Sequence, residues 1–151
     1  MSGPALYVDA DACPVKAEVL RVAERHQLRV HMVSNSGVRQ ALHPLVNSVV
    51  VSGSFDAADD WIAAEAGDGD IVITADIHLA SRCLDMGAAV LGPTGKPFTK
   101  ANIGMALSMR DLMADLRAMG TVSGHNPSFS KQDRSAFLQA LERAVQQARR
   151  R

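Results

Sequence analysis

The sequence predicts an α/β fold: a Rossmann-like, open and mainly parallel five-stranded sheet flanked by helices, with two extra helices at the C-terminal end. Three observations predict it. Short apolar or β-branched runs alternate with helical segments through the first hundred residues. The runs stop at Asp, Ser, Gly or Pro, as strands do where they enter loops. Beyond Thr99 only helical periodicity remains.

Each element follows in order. "ALYVDA" is a short apolar run that opens the sheet. "PVKAEVLRVAERHQ" spaces Val15, Val19, Leu20, Val22 and Ala23 on one helical face, with Pro14 suited to a first turn. In "LRVHMVSN", Leu28, Val30 and Met32 alternate with Arg29 and His31, which is the period of a strand. "VNSVVVSG" is a third, β-branched strand, and "DAADDWIAAEAG" a helix stopped by Gly67. "DIVITAD" is the strongest strand signal, "IHLASRCLDMGA" is a helix, and "AAVLGPTG" is a strand ending in a Gly/Pro turn. The first extra helix, "TKANIGMALSMRDLMADLRAMG", has Thr99 as cap and Met105, Met109, Leu112, Leu116 and Met119 at spacings that predict core packing. After the loop "TVSGHNPSF", Ser130 with Asp133 predicts an N-cap with an acidic third position.

The 151 residues fit one domain, residues 1–151, without repeats or a linker. With 47% apolar and 21% charged residues, the composition is that of a folded domain, not a disordered chain. Lys+Arg and Asp+Glu number 16 each, so a polyanion site has to be local or supplied by metal ions. Cys13 and Cys83 fit neither a zinc spacing nor a disulfide scaffold. The first residues lack a basic region followed by an apolar run, and no stretch reaches the roughly 20 apolar residues of a membrane helix. A cytoplasmic protein is expected, with no membrane partner and with self-association left open. The arginines at 149–151 read as a solvated helix end.

In open parallel sheets, ligands lie beyond the carboxyl ends of the strands. Those ends carry Asp9 and Asp11, then Ser34 and Asn35, then Ser52, Ser54 and Asp56, then Thr74 and Asp76, then Thr94 and Lys96. If the first and fourth strands are neighbours, Asp9 faces Asp76, and the helix at 56–66 can turn Asp56, Asp59 and Asp60 to the same edge. Clustered carboxylates repel, and Mg²⁺ or Mn²⁺ prefers such oxygen ligands, so an acidic metal pocket is expected. Asp9 and Asp76 are its first candidates. Asp11 is equally a helix cap, Asp56 is expected to cap its own helix, and Asp60, Asp68 and Asp70 are expected to be solvated. His78 reads as a surface residue and Cys13 as a thiol without a catalytic partner. Lys16 and Lys96 are candidates for phosphate contacts, with solvated lysines the default.

Taken together, "VDADACPVK", "FDAADDWI", "DIVITADIHLA", "GPTGKPFT", "MRDLM" and "SKQDRSAF" resemble the bacterial YaiI/YqxD family nearly from end to end. That family is grouped by resemblance with PIN-like domains, many of which are metal-dependent ribonucleases. The resemblance implies a PIN-like sheet and puts Asp9, Asp59 and Asp76 in the positions of the PIN acids, with Asp11 a fourth. Two departures stand out: His78 replaces a usual proline, and Asp59 stands where PIN enzymes commonly carry glutamate.

The function expected from residues and resemblance is a Mg²⁺- or Mn²⁺-dependent nuclease acting on RNA or single-stranded nucleic acid. Asp9, Asp59 and Asp76 are its catalytic residues and, with Asp11, its metal ligands for one or two ions. Lys16, Asn35 and Lys96 are the candidates to contact substrate phosphates. The alternative is a non-catalytic PIN-like module that binds metal or a partner at the same pocket. A third reading is a haloacid-dehalogenase-like phosphatase, whose first strand also ends in Asp-x-Asp; here Cys13 stands where threonine or valine is expected.

Overall fold

The computed structural model describes residues 3–35, 43–52, 56–109 and 129–150. In chain order the elements are β1 (Leu6–Asp9), α1 (Lys16–His26), β2 (Val30–Ser34), β3 (Val46–Val50), α2 (Ala57–Glu65), β4 (Ile71–Ile73), α3 (Ile77–Asp85), β5 (Ala89–Leu91), β6 (Pro97–Phe98), α4 (103–109) and α5 (Lys131–Arg149). A single 3₁₀ turn, Ala10–Ala12, separates β1 from the approach to α1.

Among the described residues these strands form one six-stranded sheet of order β3-β2-β1-β4-β5-β6. All pairings are parallel except β5 with β6. The expected five parallel strands are therefore present, and a sixth is added. Gly95, at φ +90°, turns the chain back after β5 so that Leu91 pairs with Pro97 and Val90 with Phe98.

Alternation along each strand builds two cores, one on each face. Leu6, Val8, Val30, Met32, Ile71, Ile73 and Leu91 face α1 and α5, which contribute Val19, Val22, Phe137, Leu141 and Val145. Tyr7, Val33, Val72 and Val90 face α2 and α3, which contribute Ala58, Ile62, Leu79, Ala80 and Cys83. Tyr7 stacks on His31 at 4.7 Å between ring centroids, and its hydroxyl donates to the Glu65 carbonyl at the end of α2. The strands at the centre are buried on both faces, in keeping with the unbroken apolar runs at 6–8 and 71–73.

Several local expectations are met. Thr99 Oγ1 accepts the Asn102 N–H ahead of α4. Ser130 and Asp133 form a reciprocal capping box at the start of α5. Others are corrected. Helix α1 begins at Lys16, not Pro14, and no side chain caps it. Met105 and Met109 were expected in the core but are 75% and 51% exposed, because periodic apolar spacing defines a face without supplying anything to cover it. Leu112, Leu116, Met119, Ser54 and the loop at 121–128 lie outside the described residues. Asp70 is not solvated: its carboxylate accepts the N–H groups of Ala5 and Gly67 and ties the first strand to the turn before β4. Among the described residues no helix is long and apolar enough to cross a membrane.

Candidate functional site

β1 and β4 lie side by side, Val8 opposite Ile73. The chain leaves them in opposite directions, from β1 to α1 on one face and from β4 to α3 on the other. Neighbouring strands whose connections diverge leave a crevice at their carboxyl ends. Asp9 ends β1 at that point, and Asp76 stands three residues beyond β4.

Thr74 joins the two acids. Its buried hydroxyl donates to Asp9 Oδ2 at 3.0 Å and accepts the Asp76 N–H at 3.0 Å. One Oδ1 of Asp76 accepts the N–H groups of His78 and Leu79 and so caps α3. Asp59, in the first turn of α2, lies within electrostatic reach of Asp76 and Asp9. Its pKa is pushed up to about 6, first by burial, then by repulsion from Asp76, Asp9 and Asp56. Asp9 is also raised, chiefly by burial, with the charges of Asp11 and Asp76 adding to it and the Thr74 hydrogen bond working against it. Asp9, Asp59 and Asp76 thus lie close enough to influence one another's ionisation.

The approach of α2 is fixed from a distance. Asn35, just beyond β2, receives the Ala58 N–H on its side-chain oxygen at 2.9 Å, and its own N–H donates to Asp11 Oδ2 at 2.8 Å. This line, from the β1–α1 connection through Asn35 to the first turn of α2, corrects two expectations. Asp56 occupies the N-cap position of α2 but makes no capping bond, because Asn35 supplies that acceptor. Asp11 does not cap α1; its carboxylate holds the backbone after β2. Sequence reasoning placed Asn35 at the right edge of the sheet as a phosphate contact and missed this capping role. The available signal was an Asn immediately after a strand, a residue type that caps helix N-termini.

The remaining candidates differ in burial. Lys16 is half-buried at the first position of α1. Lys96 is exposed in the turn between β5 and β6, where its carbonyl accepts the Gly92 N–H. His78 is exposed on the first turn of α3. Cys13 packs against the α1/α5 core, and burial raises its thiol pKa, the opposite of what a nucleophile needs. Asp60 pairs with Arg82 at 2.9 Å on the surface.

The donor set of Asp9, Asp59 and Asp76, all carboxylate oxygen, suits a hard divalent cation. As the side chains stand, no group of three or more His, Cys, Asp or Glu among the described residues is arranged to hold a metal ion.

A family model described as "Uncharacterized BCR, YaiI/YqxD family" matches residues 7–147. A UPF0178 protein of Parvibaculum lavamentivorans is 62% identical over 146 residues, covering 97% of this chain and 96% of the relative. UPF0178 protein Atu1478 of Agrobacterium fabrum is 60% identical over 140 residues, covering 93% and 92%. UPF0178 protein R01393 of Rhizobium meliloti is 57% identical over 145 residues, covering 96% and 99%. No solved structure gives a significant match.

Proposed function

The chain belongs to the YaiI/YqxD family, and from the geometry at its switch point we propose that it is a Mg²⁺- or Mn²⁺-dependent nuclease of RNA or single-stranded nucleic acid. The observation that carries this reading is that Asp9, Asp59 and Asp76, from three elements, lie near the carboxyl ends of adjacent parallel strands, where the charges of Asp76 and Asp9 raise the Asp59 pKa. A fold gains nothing in stability by pressing like charges together, and such an arrangement is characteristic of sites that bind a counter-charge.

Asp9, Asp59 and Asp76 would hold the ion, which when bound would lower the pKa of water and offset phosphate charge. The chain's own residues prepare the site in definite ways. Thr74 orients Asp9 by donating to one of its oxygens, a bond that works against the upward pKa shift burial imposes. Asn35 fixes the first turn of α2, and through it the position of Asp59. Asp59, whose pKa is pushed up to about 6 by burial and by the neighbouring charges, would have to be ionised to act as a ligand. Lys16 and Lys96, on the connections after β1 and β5, are the cations that would meet flanking phosphates.

The test is cleavage of labelled single-stranded RNA and DNA with Mn²⁺ or Mg²⁺, comparing wild type with Asp9→Asn purified in parallel and with p-nitrophenyl phosphate as a small ester. Cleavage of nucleic acid by the wild type and its loss in Asp9→Asn is the expected result. Hydrolysis of the small ester alone would favour a phosphatase. A second reading, a non-catalytic module, draws support from the structural duties of the same acids: Asp76 caps α3 and Asp9 is tied to Thr74. Retained Mn²⁺ binding without turnover of any substrate would select it.

A further inference from the structure

We propose that Arg134, on α5, is a positioning residue for the acidic site, fixing the connection that carries Asp9 and Asp11 into α1. The inference rests on reading Asp9, Asp59 and Asp76 as that site. α5 lies on the opposite face of the sheet from Asp59 and Asp76, so nothing in the acidic group itself points to it. Yet one guanidinium nitrogen of Arg134 donates to the Pro14 carbonyl at 2.7 Å and lies 3.3 Å from Glu18 Oε1. The guanidinium also sits over the Phe129 ring, 4.9 Å from its centroid, and that ring packs against the α1/α5 core.

Three features make this more than a surface ion pair. Residues 10–15 between β1 and α1 contain only one 3₁₀ turn, and α1 begins without a side-chain cap, so this connection has little internal support. Arg134 reaches it across 120 residues of sequence, from a helix whose own start is locked by the Ser130/Asp133 capping box. At the other side of α5, the Gly95 backbone is seated against the backbone of Ala136 and Phe137, and Gly95 belongs to the turn that carries Lys96. The first half of α5 therefore touches the connection that follows Asp9 and bears Asp11, and the turn bearing Lys96, and Arg134 is its grip on the first of these.

The experiment uses the full chain, with Arg134→Met to keep the aliphatic stem and remove the donors, Arg134→Lys to restore one donor, and Glu18→Gln to remove the ion pair alone. Deuterium exchange of the peptide spanning residues 8–15 is read by mass spectrometry, and the Mn²⁺ dissociation constant by calorimetry. Arg134→Met is expected to accelerate exchange in that peptide about tenfold without accelerating the centre of the sheet, and to weaken Mn²⁺ binding about tenfold. Arg134→Lys is expected to recover most of both losses, and Glu18→Gln to match the wild type. Wild-type exchange in Arg134→Met, acceleration spread evenly over the chain, or faster local exchange with unchanged Mn²⁺ affinity would each overturn the proposal. If the wild type itself binds no Mn²⁺, the reading of the acidic site fails, and the exchange result alone then decides whether Arg134 holds this connection.

Discussion

At the scale of single residues, Thr74 is the most connected small side chain of the site. It is 3% exposed and serves two acids at once, as donor to Asp9 and acceptor from the Asp76 N–H. Thr74→Val keeps the shape and removes both bonds, stranding a half-buried carboxylate and an N–H, so a loss of about 1–3 kcal/mol is expected in chemical denaturation. Asp59 makes the opposite prediction. Its folded pKa, about 6, lies above the ordinary value of 3.8, so the folded chain holds this proton more tightly than the unfolded chain does. Stability from this group is therefore greatest below about pH 4 and falls as pH rises through 6. A shift of that size corresponds to about 3 kcal/mol at full strength, and solvent screening at a half-exposed carboxyl brings the expected figure to about 1 kcal/mol. In the presence of a chelator, Asp59→Asn should melt higher than wild type at pH 8 and close to it at pH 4.

At the scale of elements, the first turn of α2 is capped by one remote side chain. Asn35→Ala deletes the acceptor for the Ala58 N–H and is expected to destabilise the chain by about 1 kcal/mol. The same variant should broaden or shift the NMR resonances of the first turn of α2 more than those of α3, whose own cap, Asp76, is untouched. This element also shows where the sequence was readable and where it was not. The alternation of strands and helices, the neighbouring of β1 and β4 and the α5 capping box follow from short-range pattern plus the handedness of parallel crossovers. The true cap of α2 does not, because Asn35 lies 23 residues before the N–H it serves and only the folded sheet brings them together. β6 escaped for another reason: two residues are too few for any periodic signal. Met105 and Met109 misled because helical spacing reports a face and not its burial.

At the scale of the whole molecule, α5 is bound into the fold by its core and by close backbone approach. Phe137 is fully buried beneath the sheet, and Phe137→Ala is expected to cost about 3–5 kcal/mol, measured as a lower denaturant midpoint. Gly95 is held at φ +90° with the α5 backbone behind it, so that a Cβ would lie 2.7 Å from the Ala136 carbonyl oxygen. Gly95→Ala combines a strained dihedral with that clash and should lose roughly 2 kcal/mol or more in the same measurement. The turn this glycine permits produces β6, and β6 has a further consequence. A parallel sheet that ended at β5 would present a strand with vacant main-chain groups along one margin, a template on which a second chain could grow. Here that margin is closed by a reversed strand of two residues, one of them Pro97, which has no N–H to give. Among the described residues the sheet is thereby terminated on the β6 side, and β3 is its other margin, where edge-to-edge growth between copies of this chain is expected.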